Sequence, residues 1–199
     1  GDVYKRQAKS FEKEGVTGKV VFGVVGDSTF FHSGMTGAAE IVYNKGRMIP
    51  CVLDNRITGM TGHQDNPGTG YTLQGDPTAL LSVEKILTAL GFAPVLTVDP
   101  QDLKAMKAAV DQAVAALDAG QQPAIVTRRP CLLIKRDKFR KGMCRVNADK
   151  CRSCRSCLKV GCPAISLENG KAVIDRTQCV GCTVCAQVCP FDAIEKEEK

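Results

Sequence analysis

CRSCRSCLKVGCP at residues 151–163 and CVGCTVCAQVCP at residues 179–190 decide how the last fifty residues of this chain fold. The first run is Cys151-x2-Cys154-x2-Cys157-x4-Cys162-Pro163, and the second is Cys179-x2-Cys182-x2-Cys185-x3-Cys189-Pro190. Thiolates at these spacings ligate iron–sulfur clusters. In a duplicated pattern each tight loop supplies three sulfurs to one cubane, and the remote fourth cysteine serves the other. The spacing therefore assigns Cys151, Cys154, Cys157 and Cys189 to one 4Fe–4S cluster, and Cys179, Cys182, Cys185 and Cys162 to a second. Structural zinc would ask for ligands in two pairs rather than triplets with a proline-marked fourth. A disulfide framework would imply secretion, whereas the rest of the chain reads as a cytosolic enzyme. The first run departs from the usual spacing at one place: Leu158–Gly161 puts four residues before Cys162, which lengthens the loop to that fourth ligand.

The residues between the runs agree. Ala164–Leu167 and Lys171–Ile174 are short apolar runs on either side of Glu168-Asn169-Gly170, a hairpin signal. Positions 151, 154 and 157 recur twenty-eight residues later at 179, 182 and 185, the internal duplication of a two-cluster, ferredoxin-type α+β module. So few residues bury little apolar surface, and we expect ligation to supply much of the module's folding free energy.

At 199 residues the chain has room for one ordinary domain besides this module. Its formal charge of +6 falls to about +2 if each oxidised cluster with its four thiolates carries roughly two negative charges. The basic residues are concentrated. Arg128, Arg129, Lys135, Arg136, Lys138, Arg140, Lys141, Arg145, Lys150, Arg152, Arg155 and Lys159 are opposed over that stretch only by Asp137 and Asp149. Two readings stand: a solvated linker whose charges offset the clusters, or a landing site for an acidic redox partner. Phe139 is the single aromatic there, and no nucleic-acid-binding motif accompanies it. No apolar run approaches membrane-spanning length. Eleven cysteines, eight of them assigned to clusters, lead us to expect a reducing, cytoplasmic setting with neither nucleic acid nor membrane as partner.

Upstream, the β-branched run KVVFGVV at Lys19–Val25 ends in Gly26-Asp27-Ser28, and Met48–Leu53 ends in Asp54-Asn55. Continuous apolar character suits strands covered on both faces. Helical spacing follows over Met35–Asn44, and a Gly- and Thr-rich loop over Thr58–Gly75. Ser82 caps a helix over Val83–Leu90, and Asp102–Ala119 reads as a long helix. Pro94–Val98 and Ala124–Arg128 complete four strands. Strands alternating with helices predict an open, mostly parallel α/β sheet with its site at the strands' carboxyl ends. A hard divalent cation sharing phosphate oxygens could take Asp27, the Asn55 amide and a backbone carbonyl after it. The glycine before Asp27 lets backbone N–H groups approach a diphosphate.

The stretch GDSTFFHSGMTGAAEIVYNKGRMIPCVLDNRITGMTGHQDNPGTG, residues 26–70, resembles the thiamine-diphosphate-binding domain of indolepyruvate:ferredoxin oxidoreductase alpha subunits. The two cysteine runs, with the longer first spacing, resemble the same family. The resemblance implies a partial thiamine-diphosphate-binding fold over residues 8–140 and a two-cluster ferredoxin-type domain over 141–199. It implies that Asp27, Asn55 and the Ile57 carbonyl hold Mg²⁺, and that Ser28, Thr29 and Thr61 lie against thiamine diphosphate. The implied reaction is oxidative decarboxylation of aryl 2-oxoacids such as indolepyruvate to acyl-CoA and CO2. Electrons would pass through the clusters to external ferredoxin, and a beta subunit is expected as partner. The glutamate that activates the aminopyrimidine would lie on a separate domain. A pyruvate-type oxidoreductase is the near alternative, and an electron-carrier module without its own catalysis is the distant one. His32 and His63 are active-site candidates by their loops, neither assigned as base. Cys51, Cys131 and Cys144 have no ligand spacing and read as buried small apolar residues. Finally, GDVYKRQ at residues 1–7 resembles the translation of a transposon tag used in sequencing libraries; the pattern after it starts mid-domain, so we expect a C-terminal fragment and leave those residues out of fold reasoning.

Overall fold

A computed structural model describes residues 2–16, 18–134 and 142–197; the side chains of residues 2–7 are outside that description. The charges from Lys135 to Lys141, and the expected domain boundary at 140/141, lie outside the described residues. The chain divides into two units, residues 1–136 and 137–199.

In the first unit the order is α1 (Asp2–Lys13), β1 (Val21–Gly26), α2 (Asp27–Thr29), a π-helical turn (Phe30–Gly34), α3 (Met35–Tyr43), β2 (Met48–Asp54), α4 (Val83–Ala89), β3 (Val95–Val98), α5 (Leu103–Asp118) and β4 (Ala124–Arg128). The four strands form one sheet in the order β1-β2-β4-β3, every pairing parallel. A two-residue side-chain period explains how the sheet is covered. From β2, Met48 and Val52 join Phe30, Ile41, Leu87 and Val126 in one core, whereas Ile49 and Cys51 join Ala113, Leu117 and Ile125 in another. Helices α3 and α4 thus pack on one face and α5 on the other, which is why the central strands β2 and β4 read as unbroken apolar runs. Ser82 Oγ accepts the Lys85 N–H at 3.2 Å, and Asp102 Oδ1 accepts that of Ala105 at 2.9 Å, so both helices start at side-chain caps.

The second unit contains β5 (Met143–Val146), a 3-10 turn (Ser156–Val160), β6 (Ile165–Glu168), β7 (Lys171–Ile174), α6 (Val184–Gln187) and β8 (Ile194–Glu197). Strands β5 and β8 pair antiparallel, as do β6 and β7. The latter hairpin turns at Asn169 (φ 48°) and Gly170 (φ 80°), both in the left-handed region that a two-residue turn requires. The duplication extends past the cysteines. Ser153 and Arg155 have φ of 57° and 61°, and their counterparts twenty-eight positions on, Gly181 and Thr183, have 69° and 64°. Among the described helices none is long and apolar enough to cross a membrane.

Candidate cofactor sites

The carboxyl ends of β1 and β2 carry the first site. Asp27 begins a helix directly where β1 stops, and it is buried, 2% exposed. The Ser28 N–H donates to its Oδ1 at 2.8 Å, and the Asn66 amide donates to its Oδ2 at 3.3 Å. Burial pushes the Asp27 pKa up and the nearby Asp54 carboxylate adds to this, against the hydrogen bonds from Ser28 and Asn66. An open cavity of about 500 Å³ adjoins, lined by Ser28, Thr29, Phe31, His32, Thr58 and Asp65–Pro67.

This geometry sorts the expected residues. Ser28, Thr29 and His32 face the cavity. Asn55 is exposed, and its Oδ1 accepts the Ile57 N–H at 3.1 Å, while Ile57 itself is buried. Thr61 is exposed and its hydroxyl donates to Gln64 Oε1 at 2.6 Å. Of the expected residues, Asp27, Asn55, Ile57, Thr61 and His63 are not among those lining the cavity. Sequence reasoning missed Thr58, Asp65 and Asn66; the Asn-Pro-Gly turn inside the Thr58–Gly75 loop was the available signal for Asn66.

It also missed the brace behind the site. Asp54, 4% exposed, accepts from Arg128 Nε at 2.7 Å and faces Arg56 Nε at 3.4 Å. Arg128 reaches on to Glu84 at 2.6 Å, and Arg56 Nη1 donates to the Gly68 carbonyl at 2.9 Å. One carboxylate at the end of β2 thereby ties together β4, α4 and the loop that carries Asn66. Burial alone would raise the Glu84 pKa, but hydrogen bonds from Arg128 and Ser82 outweigh it and hold the value at about 2. A buried carboxylate beside hydroxyl, amide and backbone N–H groups is a donor set that suits a hard cation with a diphosphate.

The second unit gathers its cysteines. Cys151, Cys154, Cys157 and Cys189 line one cavity, together with Arg152, Ser153, Arg155 and Ser156. The Ala193 N–H donates to Cys189 Sγ at 3.4 Å. N–H groups of Ala172 and Ser153 hold the Cys151 thiol below its ordinary pKa, and Ser156 does the same for Cys154. Among the described residues no three His, Cys, Asp or Glu side chains are arranged to hold a single ion. A cubane asks for something else, one thiolate per iron around a cavity.

Cys179, Cys182 and Cys185 also lie near one another, and Cys162 packs half-buried against the same core. Burial, with the neighbouring Cys144, Cys182 and Cys179, pushes the Cys185 thiol up to about 12. Cys144 is fully buried, and its N–H donates to Cys179 Sγ at 3.3 Å, which places it beside the second run rather than the first. Burial likewise raises Cys51 to about 11, an inert core thiol. Cys131 corrects the expectation made for it: it is half-exposed, because it stands in the turn after β4, where its N–H donates to the Asn55 carbonyl at 2.9 Å.

Residues 8–127 match the family described as "Thiamine pyrophosphate enzyme, C-terminal TPP binding domain". The chain belongs to the thiamine pyrophosphate enzymes. Residues 172–195 further match the 4Fe-4S binding domain family. The chain of this thiamine pyrophosphate enzyme is 40% identical over 197 residues to indolepyruvate oxidoreductase subunit IorA of Pyrococcus abyssi, covering 95% of this chain and 30% of that protein. It is 40% identical over 196 residues to the IorA of Thermococcus kodakarensis, and 36% over 184 residues to that of Methanothermobacter marburgensis. Those alignments cover 94% and 92% of this chain, and 30% and 29% of the two relatives. The chain thus spans about 30% of the length of these curated relatives.

Proposed function

We propose that this chain carries the thiamine-diphosphate and Mg²⁺ site, and the electron outlet, of a 2-oxoacid:ferredoxin oxidoreductase acting on aryl 2-oxoacids such as indolepyruvate. The observation that supports it best is the conjunction within one chain of two features. One is an open cavity lined by Ser28, Thr29 and Asn66, whose amide reaches the buried Asp27, and the other is a cavity walled by Cys151, Cys154, Cys157 and Cys189. Thiamine diphosphate, when bound, supplies a carbanion-stabilising centre for decarboxylation. The residues do the rest. Asp27 would offer a buried carboxylate to Mg²⁺, and Asn55, whose Oδ1 now accepts the Ile57 N–H, would offer its amide oxygen. The Ile57 carbonyl would be the third ligand. Ser28 and Thr29, which line the cavity, would lie against the diphosphate, and Thr61 would join them by leaving its bond to Gln64.

Two 4Fe–4S clusters on the eight run cysteines accept electrons singly, which favours ferredoxin over a nicotinamide as acceptor. Coenzyme A takes the acyl group, and a beta subunit completes the enzyme in the cytoplasm. The test is an assay of the full-length complex against a panel of 2-oxoacids with coenzyme A and ferredoxin. Turnover fastest with indolepyruvate supports the reading, and preference for pyruvate would replace it with the pyruvate-type one. An electron carrier without catalysis would show no rise in melting temperature with thiamine diphosphate and Mg²⁺.

A further inference from the structure

The two cysteine loops share their left-handed turns and differ in side chains, the first running on into a 3-10 turn and the second into α6. The left-handed residues at 153 and 155 recur at 181 and 183, so each sulfur of one loop has a counterpart held by the same turns. Between the sulfurs the first loop carries Arg152, Ser153, Arg155 and Ser156, and the second carries Val180, Gly181, Thr183 and Val184. The substitutions have a direction. Ser156 Oγ lies 3.5 Å from Cys154 Sγ; the thiol donates there, and once the sulfur is deprotonated on iron the hydroxyl is the donor across the same contact. Position 184, the counterpart of Ser156, has a valine and nothing to donate. Arg152 and Arg155 line the first cavity, and among the described residues neither has a carboxylate partner. The second loop has no charge between Cys179 and Cys189.

Reduction adds one electron and one negative charge to a cluster. Donors and cations near its sulfurs stabilise the reduced form more than the oxidised one and raise the potential. Backbone N–H donors point the same way as the side chains: Ala193 on Cys189, with Ala172 and Ser153 at Cys151, in the first set, against Cys144 on Cys179 in the second. We infer that the two clusters are redox-inequivalent, the one at Cys151, Cys154, Cys157 and Cys189 having the higher potential and taking the first electron, with Ser156 as a residue that tunes it.

This inference rests on the two-cluster reading, and iron content separates the two. The anaerobically reconstituted 199-residue chain is titrated with dithionite as one-electron donor and followed by electron paramagnetic resonance. Two reductive waves are expected. Ser156→Ala should lower the upper wave and leave the lower one in place, with iron unchanged. Val184→Ser, the reciprocal change in the other loop, should raise the lower wave and narrow the gap. A single wave from chains holding about eight irons, or a Ser156→Ala effect confined to the lower wave, overturns the inference alone. Iron stalling at about four overturns the two-cluster reading with it.

Discussion

Arg128 is the residue whose loss should be felt most in the α/β unit. It is the main partner of Asp54, a carboxylate only 4% exposed, and replacing it by Met keeps the stem and removes the charge. Breaking a buried pair from one side costs about 3–5 kcal/mol, because the remaining charge stays desolvated. Arg56, still 3.4 Å from Asp54, offsets part of that, so about 3 kcal/mol is expected at pH 7. The other arm of the brace should be weaker. Glu84 is held at about 2 against an ordinary 4.5, which sets a ceiling of about 3 kcal/mol. With Glu84 and Arg128 side chains 25% and 28% exposed, solvent screening reduces this to on the order of 1–2 kcal/mol for Glu84→Gln. The sign follows from the depressed value. Glu84's contribution is complete above about pH 4.5 and fades as pH falls toward about 2, by about 1.4 kcal/mol per unit. Urea unfolding by far-UV circular dichroism at pH 7 and pH 3.5, with unchanged slopes, measures both. The brace is refuted if Arg128→Met costs no more than Glu84→Gln, or if the Glu84→Gln deficit persists undiminished at pH 3.5.

Asp27→Ala should abolish Mg²⁺-dependent thiamine diphosphate binding in calorimetry while leaving iron content intact, since the two sites belong to separate units. Gly68→Ala would place a Cβ 2.7 Å from Phe31 Cε2 and 3.2 Å from Asn66 Oδ1. We expect about 1–3 kcal/mol of destabilisation, together with weaker thiamine diphosphate binding because both displaced side chains line the cavity. Reversing Arg152 and Arg155 to Glu in the full-length enzyme should slow ferredoxin reduction at low ionic strength, and added salt should shrink the deficit. Ferredoxin reduction that responds neither to the reversal nor to added salt would leave the basic stretch as a solvated linker.

Much of the α/β unit was legible because its signals are local. β4 begins and ends where the expected strand Ala124–Arg128 does, and Ser82 caps α4 as read, while Asp102, read as the first residue of the long helix, caps α5 instead. The turn from Asp27 to Gly34 was not. Its Gly, Ser and Thr content reads as loop, yet the chain coils immediately because Phe30 and Phe31 both reach the core. Strands β5 and β8 were invisible in MCRV and IEKE, which gain order only by pairing with each other across the module. The twenty-eight-residue repeat could have found β5, since it projects β7 back onto residues 143–146. At the site, Asp27 was legible from its strand-end position. Its brace was not, because Asp54, Glu84 and Arg128 meet only through the parallel sheet, and no local pattern pairs them.

On the proposed function, decarboxylation at the thiamine site would supply the electrons held by these cysteine loops. That link is tested most directly by mixing the full-length complex anaerobically with indolepyruvate and coenzyme A, without external acceptor, and recording the electron paramagnetic resonance spectrum. A reduced-cluster signal that requires both thiamine diphosphate and Mg²⁺, and that Asp27→Ala removes while the iron remains, is the predicted result. Clusters that dithionite reduces but the 2-oxoacid does not, or that the 2-oxoacid reduces without thiamine diphosphate, would contradict it.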